Sequence, residues 1–143
     1  MILHSLIKSR QHVWSLDPGL DRSDLEAFGA AWKAFHDTGD VATLPIKDGA
    51  TLAVFILAPL TRRQFTRVFG LAGLEQVTDA VAYGLQSVSG FQIDGAPVQL
   101  ERTDTETGRR LTSKSLDAIF DPVLFAELAG RIVEISRIDP TRG

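Results

Sequence analysis

The stretch Thr51-Leu-Ala-Val-Phe-Ile-Leu57 is the most hydrophobic continuous run in the chain, and Thr61-Arg-Arg-Gln64 follows it after a break at Pro59. An apolar run of this length is typical of a buried strand. Thr61 and Gln64 have the spacing of a capping box, in which the Thr61 hydroxyl accepts from the N3 amide and Gln64 reaches back to the cap. The sequence therefore predicts a buried strand followed by a capped helix.

A helical pattern continues behind this cap as far as Val88. The apolar residues fall into two groups, separated by Gly70 and Gly73: Phe65, Val68 and Phe69, and then Leu74, Val77, Val81, Leu85 and Val88. Spacings of three and four residues place each group on one helix face. We therefore expect two helices joined near Gly73, with the second reaching Val88.

Upstream of the apolar run, the sequence predicts a helix and a strand. Ser23 and Glu26 have capping-box spacing, which predicts a helix that ends at Thr38-Gly39. One face of this helix would carry Leu25, Phe28, Trp32 and Phe35. Residues 41–46 are predicted to be extended, and Lys47-Asp48-Gly49 supplies a turn that would pair them with 51–57 as a hairpin. Val13-Trp14 is predicted to be a short strand before a turn at Asp17-Pro18-Gly19.

The C-terminal part predicts a second hairpin, a loop and two helices. Apolar and polar residues alternate on both sides of Asp94-Gly95, a dipeptide that favours tight hairpins. Residues 101–110 contain no apolar side chain, which indicates a solvated polar loop. Ser113 is expected to cap a short helix, and Asp121-Pro122 begins a final helix with Leu124, Leu128, Ile132 and Ile135 on one face.

These elements predict an α+β fold with two short β-hairpins packed against four or five helices. At 143 residues the chain has the size of one domain, and it would bury roughly 70% of its unfolded surface. We therefore treat residues 1–143 as a single domain. Residues 1–22 are interpreted as an N-terminal arm, whose apolar side chains would dock on a neighbouring subunit: Ile2, Leu3, Leu6 and Ile7.

Composition excludes several classes of site. The chain has no cysteine, so disulfides, thiolate metal ligands and cysteine nucleophiles are excluded. Its three histidines, His4, His12 and His36, lack a ligand partner at helical spacing, and no glycine-rich phosphate loop occurs. A net charge of −3 makes nucleic acid an unfavoured partner, and no apolar run is long enough to span a membrane. We expect no metal and no cofactor.

Arginines cluster at two places, Arg62, Arg63 and Arg67 on the capped helix and Arg109-Arg110 after the polar loop. An anion site is one interpretation, because guanidinium groups match phosphate oxygens. A solvated helix face, neutralised by nearby acidic residues, is another. The third is a charged contact that sets the register between subunits of a repeating assembly, and for this role we select Arg62, Arg63, Arg67, Arg109 and Arg110.

Four segments together resemble small proteins of tailed bacteriophages that are encoded among the head and tail morphogenesis genes. They are Pro59–Phe65, Val81–Phe91, Asp94–Val98 and Leu116–Ser136. The resemblance implies a non-enzymatic structural or assembly protein of the virion, in head or tail, assembled in the host cytoplasm with other phage subunits. A tail assembly chaperone that is absent from the mature particle is the first alternative. A small anion- or nucleotide-binding module is the second.

Overall fold

The computed structural model describes residues 9–93 and 95–138, with only the backbone described for Ile93 and Ile138. The predicted contact residues Ile2, Leu3, Leu6 and Ile7 lie outside the described residues. Five α-helices and seven short strands are present in the described part, which confirms the α+β class. The helices are α1 Leu25–Thr38, α2 Arg62–Phe69, α3 Gly73–Gly84, α4 Ser113–Ile119 and α5 Pro122–Ile138. The strands are β1 Arg10–Val13, β2 Val54–Leu57, β3 Leu85–Ser89, β4 Gln92–Ile93, β5 Ala96–Pro97, β6 Arg102–Thr105 and β7 Gly108–Leu111.

The predicted apolar strand is the centre of the main sheet. β2 pairs antiparallel with β1 on one side and with β3 on the other, in the order β1-β2-β3. Phe55 and Leu57 are buried, as expected for a strand with a neighbour on each edge. Residues 9–22 differ from the predicted N-terminal arm, because β1 and the turn after it are part of this domain.

The predicted hairpin of residues 41–46 with 51–57 is wrong. Val41–Thr43 forms a single 3₁₀ turn, capped by the Asp40 side chain, which accepts from the Ala42 amide. Both edges of β2 are already taken by β1 and β3, so no place in the sheet is left for this segment. Ile46 instead forms a single antiparallel bridge with Leu20.

The capped helix behind the strand is confirmed in detail. The Thr61 hydroxyl accepts from the Gln64 amide at 3.2 Å, and Gln64 Oε1 accepts from the Thr61 amide at 3.0 Å. Both halves of the capping box are therefore formed. The Gln64 side chain also donates to the Thr107 carbonyl at 2.9 Å, so the cap anchors the distant β6–β7 hairpin as well.

The second helix of this pair ends before its apolar pattern does. α3 stops at Gly84, and the predicted continuation to Val88 is wrong because Leu85–Ser89 forms β3. Gly84 packs against α5 so closely that an added Cβ would lie 2.6 Å from Ile132 side-chain carbons. Residues 85–89 instead pair with the edge of β2 that β1 leaves open, so their backbone groups bond to a strand distant in the sequence.

Two further β-hairpins follow the sheet. The hairpin predicted around Asp94-Gly95 is confirmed, although β4 and β5 pair over only two residues each, Gln92 with Pro97 and Ile93 with Ala96. The predicted polar loop at 101–110 is wrong, since β6 and β7 form a hairpin over most of it. Most side chains of residues 101–110 are exposed, as expected. The strands were not predicted because backbone pairing does not require apolar side chains, so the polar composition gave no sign of it.

The apolar residues form two clusters around the sheet. The larger one joins β2, α2, α3, α4 and α5, and Phe125, Leu128 and Ile132 of α5 are fully buried in it. The smaller one contains Phe35 of α1 with Val13, Leu20, Leu44 and Leu52, and it includes the partly buried Phe28 and Trp32. The aromatic face predicted for α1 is therefore core, with the exception of Leu25, which is exposed.

Candidate functional site: a polar cleft between α1 and α5

A polar cleft of about 420 Å³ lies between α1, α5 and the end of β1. α1 contributes Trp32 and His36, and the segment from β1 contributes His12 and Ser15. The remaining lining residues all come from α5: Ala126, Glu127, Gly130, Arg131 and Glu134. Five titratable side chains surround this one opening, so we treat it as the candidate site.

Glu127 is the centre of the inner half of the cleft. His12 donates to its Oε2 from Nε2 at 2.7 Å, and the Ser15 amide donates to the same oxygen at 2.9 Å. The Ser15 hydroxyl donates to Oε1 in a short hydrogen bond. His12 is buried and Trp32 stands edge-on to its ring at a centroid distance of 6.0 Å. The carboxylate therefore ties α5 to the segment that follows β1.

Two opposing effects act on the pKa of Glu127. Burial is the largest, and it raises the pKa because a carboxylate loses hydration inside the protein. The hydrogen bonds from His12 and Ser15, with the charge of His12, together outweigh burial and hold the pKa of Glu127 below its ordinary value of 4.5. The ionised form is thus the one that the fold stabilises.

We expect the stabilisation from Glu127 to disappear in acid. Because its folded pKa is depressed, the contribution is complete above the ordinary value of 4.5 and is lost as the pH falls through the lower folded pKa. Glu127→Gln should lower the free energy of unfolding by about 1–3 kcal/mol near neutral pH, since the buried donors lose a charged acceptor. Urea denaturation at a series of pH values measures both effects.

The control for this prediction is Glu134→Gln, whose side chain is 42% exposed against 24% for Glu127. The gap in stability between wild type and Glu127→Gln should narrow below pH 4.5, while Glu134→Gln should show a smaller gap throughout. A gap for Glu127→Gln that is unchanged down to the acid limit would contradict the assignment.

Ser15, His12 and Glu127 are the residue types of a hydrolytic triad, but their hydrogen bonds run in a different order. In a triad the histidine lies between the acid and the serine, and it removes the serine proton. Here both His12 and Ser15 donate to Glu127, so the carboxylate lies between them. His12 therefore does not activate the Ser15 hydroxyl, and the arrangement acts as a structural clamp.

The outer half of the cleft is a second ionic group. Arg131 Nη1 donates to Glu134 Oε1 in a short hydrogen bond, and Nη2 donates to the His36 carbonyl at 2.9 Å. His36 Nε2 lies 3.1 Å from both Arg131 Nη1 and Glu134 Oε1, so it accepts from the arginine when it carries no proton and donates to the carboxylate when it carries one. Burial raises the pKa of Glu134, but Arg131 and His36 outweigh it and lower that pKa overall.

The arginines selected from the sequence separate into two groups. Asp79 is buried and forms ion pairs with two of them: it accepts from Arg67 Nε at 3.1 Å, and its other oxygen lies 3.3 Å from Arg110 Nη1. Arg109 is exposed and lies 3.3 Å from Asp104. Arg62 and Arg63 are exposed and have no ion pair within the described part of the chain. Arg67 thus joins α2 to α3, and Arg110 holds the β6–β7 hairpin on α3. Arg62 and Arg63 remain available at the surface.

Sequence patterns missed the cleft. His12 and His36 were set aside because no ligand partner stood at helical spacing in the sequence. The actual partners are 115 residues away for His12 with Glu127 and 98 residues away for His36 with Glu134. The polar side chains of Glu127, Arg131 and Glu134 on one side of α5 were the one available signal.

The described residues contain neither a cluster that could bind a metal ion nor a helix that could span a membrane. Within 9–93 and 95–138, no group of three or more His, Asp or Glu side chains is arranged to hold a metal ion. The same residues contain no helix that is both long and apolar enough to cross a membrane.

Comparison with protein-family models, with curated protein sequences and with solved structures finds no match for this chain. A functional proposal therefore rests on the residues and the geometry of this protein itself.

Proposed function

We propose that this protein is a non-enzymatic structural or assembly subunit of a bacteriophage particle and that it acts through contacts with other protein subunits. The observation that carries the proposal is how the reactive side chains are used. Glu127 accepts from His12 and Ser15, and Asp79 forms ion pairs with Arg67 and Arg110, so both carboxylates connect elements of the fold. Side chains engaged in this way stabilise a scaffold, because His12 and Asp79 are buried and need their partners.

Exposed apolar side chains also support a contact role. Leu25 on α1 is 74% exposed, Leu74 at the start of α3 is 59% exposed, and Phe120 and Val123 are exposed around the corner between α4 and α5. Single apolar residues at a surface are ordinary, but two of these flank one corner and present apolar area to a neighbour. The resemblance of four segments to phage morphogenesis proteins points to the kind of assembly in which such contacts are made.

Mass spectrometry of purified phage particles tests the proposal. Particles from cells that carry this gene should contain the chain in several copies per virion, at a constant ratio to the other structural subunits. Absence of the chain from finished particles would contradict the structural version of the proposal. Absence together with co-purification on a tail protein in the cell extract would favour the tail assembly chaperone instead.

The anion-binding alternative has its own test. Arg67 already pairs with Asp79, so only Arg62 and Arg63 of the predicted cluster remain to bind an anion. A thermal-shift panel of phosphates and nucleotides, with Arg63→Ala as control, should show no stabilisation if the arginines serve protein contacts. Stabilisation of wild type that Arg63→Ala abolishes would favour the anion-binding module.

A further inference from the structure

Arg62 and Arg63 occupy the first two positions of α2, where a positive charge interacts unfavourably with the helix dipole. The amide groups at a helix N-terminus carry partial positive charge, so cations there are unfavourable. The first turn of α2 contains no acidic residue, whereas α1 has Glu26 and α3 has Glu75 in that position. Within the described part of the chain neither arginine has an ion pair, so both charges are available for contact with another subunit.

The cleft between α1 and α5 has the opposite character. The charged residues around the opening are Glu127, Glu134 and Arg131, which give a net charge of −1 when both histidines are neutral. Arg131 is almost fully buried and donates to Glu134 and His36, so its charge is engaged inside the protein. The Glu134 carboxylate is 42% exposed and faces solvent. A cation that approaches the opening therefore meets acceptor oxygens.

The shape of the cleft suits a flat side chain. Trp32 lines one side of it, and Ala126 and Gly130 line the other with little or no side chain. A Cβ added at Gly130 would meet no atom within 4 Å, so the space above α5 is open. A guanidinium group stacks on an indole face and donates to carboxylates in its own plane, which a compact ammonium does less well.

We propose that Arg62 and Arg63 of one copy of this chain insert into the polar cleft of a second copy. The inference rests on the proposed function, since it names a contact by which such subunits would repeat. A second copy is the occupant because the chain carries both complementary surfaces, an unpaired arginine pair and an acidic, tryptophan-lined opening. The contact joins two different surfaces, so it either repeats from copy to copy or closes in a symmetric oligomer.

Charge reversal of the arginine pair is the first test. Purified wild type should show a mass that increases with concentration in sedimentation velocity, and Arg62→Glu/Arg63→Glu should remain monomeric. The same variant should keep its fold, with a Tm roughly 2–4 °C higher, because acidic side chains suit a helix N-terminus. A monomeric wild type at every concentration, or a variant that associates like wild type, would overturn the proposal.

The matched control is Lys47→Glu/Lys114→Glu, which changes the net charge by the same amount. Both lysines are exposed, and Lys114 lies in the first turn of α4, so its reversal has the same favourable relation to a helix dipole. This control should associate like wild type. If it becomes monomeric as well, association depends on overall charge and the specific contact is refuted.

Cross-linking tests the location of the contact. The chain contains no cysteine, so single cysteines can be introduced without background. Arg63→Cys mixed with Ala126→Cys, which lines the cleft, should form covalent heterodimers with a short bis-maleimide. Arg63→Cys mixed with Ala30→Cys, on an exposed position of α1 outside the cleft lining, should form several-fold fewer. Equal yields would overturn the proposal.

Different results would contradict the structural role and the proposed contact between copies. If virions contain the chain but the cross-linking yields are equal, this contact is wrong and the structural role stands. If the contact forms but finished particles lack the chain, the structural role is wrong and the contact describes a free oligomer.

Discussion

Gly90→Ala is expected to lower the free energy of unfolding by about 3 kcal/mol. Gly90 follows β3 with φ of +73°, and a Cβ built on it would lie 2.3 Å from the backbone carbonyl oxygen of Leu52. That oxygen belongs to the segment leading into β2 and cannot rotate away as a side chain would. The substitution therefore adds a backbone collision to the ordinary strain of positive φ. Urea denaturation followed by circular dichroism measures the loss.

Gly39→Ala is the matched control, because Gly39 ends α1 with the same φ of +73° and an added Cβ there would meet nothing within 4 Å. It should cost only the conformational strain, about 1 kcal/mol. Equal losses at the two positions would mean that the approach of residue 90 to the Leu52 carbonyl does not restrict the fold.

Phe125→Ala should destabilise the protein by about 3–5 kcal/mol. Phe125 is fully buried on α5 in the larger apolar cluster, and the ring of Phe120 meets it edge-on at a centroid distance of 5.0 Å. Removing the ring leaves a cavity that helices fixed on both sides cannot fill. Thermal and urea unfolding of the variant should both show the loss.

Val123→Ala on the same helix is the control for this prediction. Val123 is 54% exposed, so its truncation should change the stability by no more than about 0.5 kcal/mol. A comparable loss at both positions would show that the helix itself, and not the packing of the Phe125 ring, determines the effect.

Local signals in the sequence predicted most helices well. Thr61 and Gln64 form the expected capping box, and Asp121 accepts from the Val123 and Leu124 amides at the start of α5. Elsewhere the cap lies one residue from the predicted one, at Asp24 before α1 and at Thr112 before α4. Capping depends on contacts within four residues, and such contacts are visible in a sequence.

Strand pairing was predicted less well, because the residues of a strand do not indicate which other strand it pairs with. β2 was recognised from its apolar run, but β1 shares only Val13 with the short strand predicted at Val13-Trp14, and β3 comes from a segment predicted as a helix end. The β6–β7 hairpin was missed because its stability depends on distant groups. Tyr83 Oη lies 2.9 Å from Thr105 Oγ1, and Asp79 pairs with Arg110 of β7.

The sequence by itself determined the α+β class, the buried strand, the helix caps and the apolar faces, since these depend on residues a few positions apart. Only the tertiary structure decided which strands meet and where the charged side chains lie. It brings His12, Ser15 and Glu127 together across more than 110 residues, and it pairs Arg67 with Asp79 while leaving Arg62 and Arg63 exposed. The attraction between two charges depends on their distance in space. The number of residues between them in the sequence does not determine that distance.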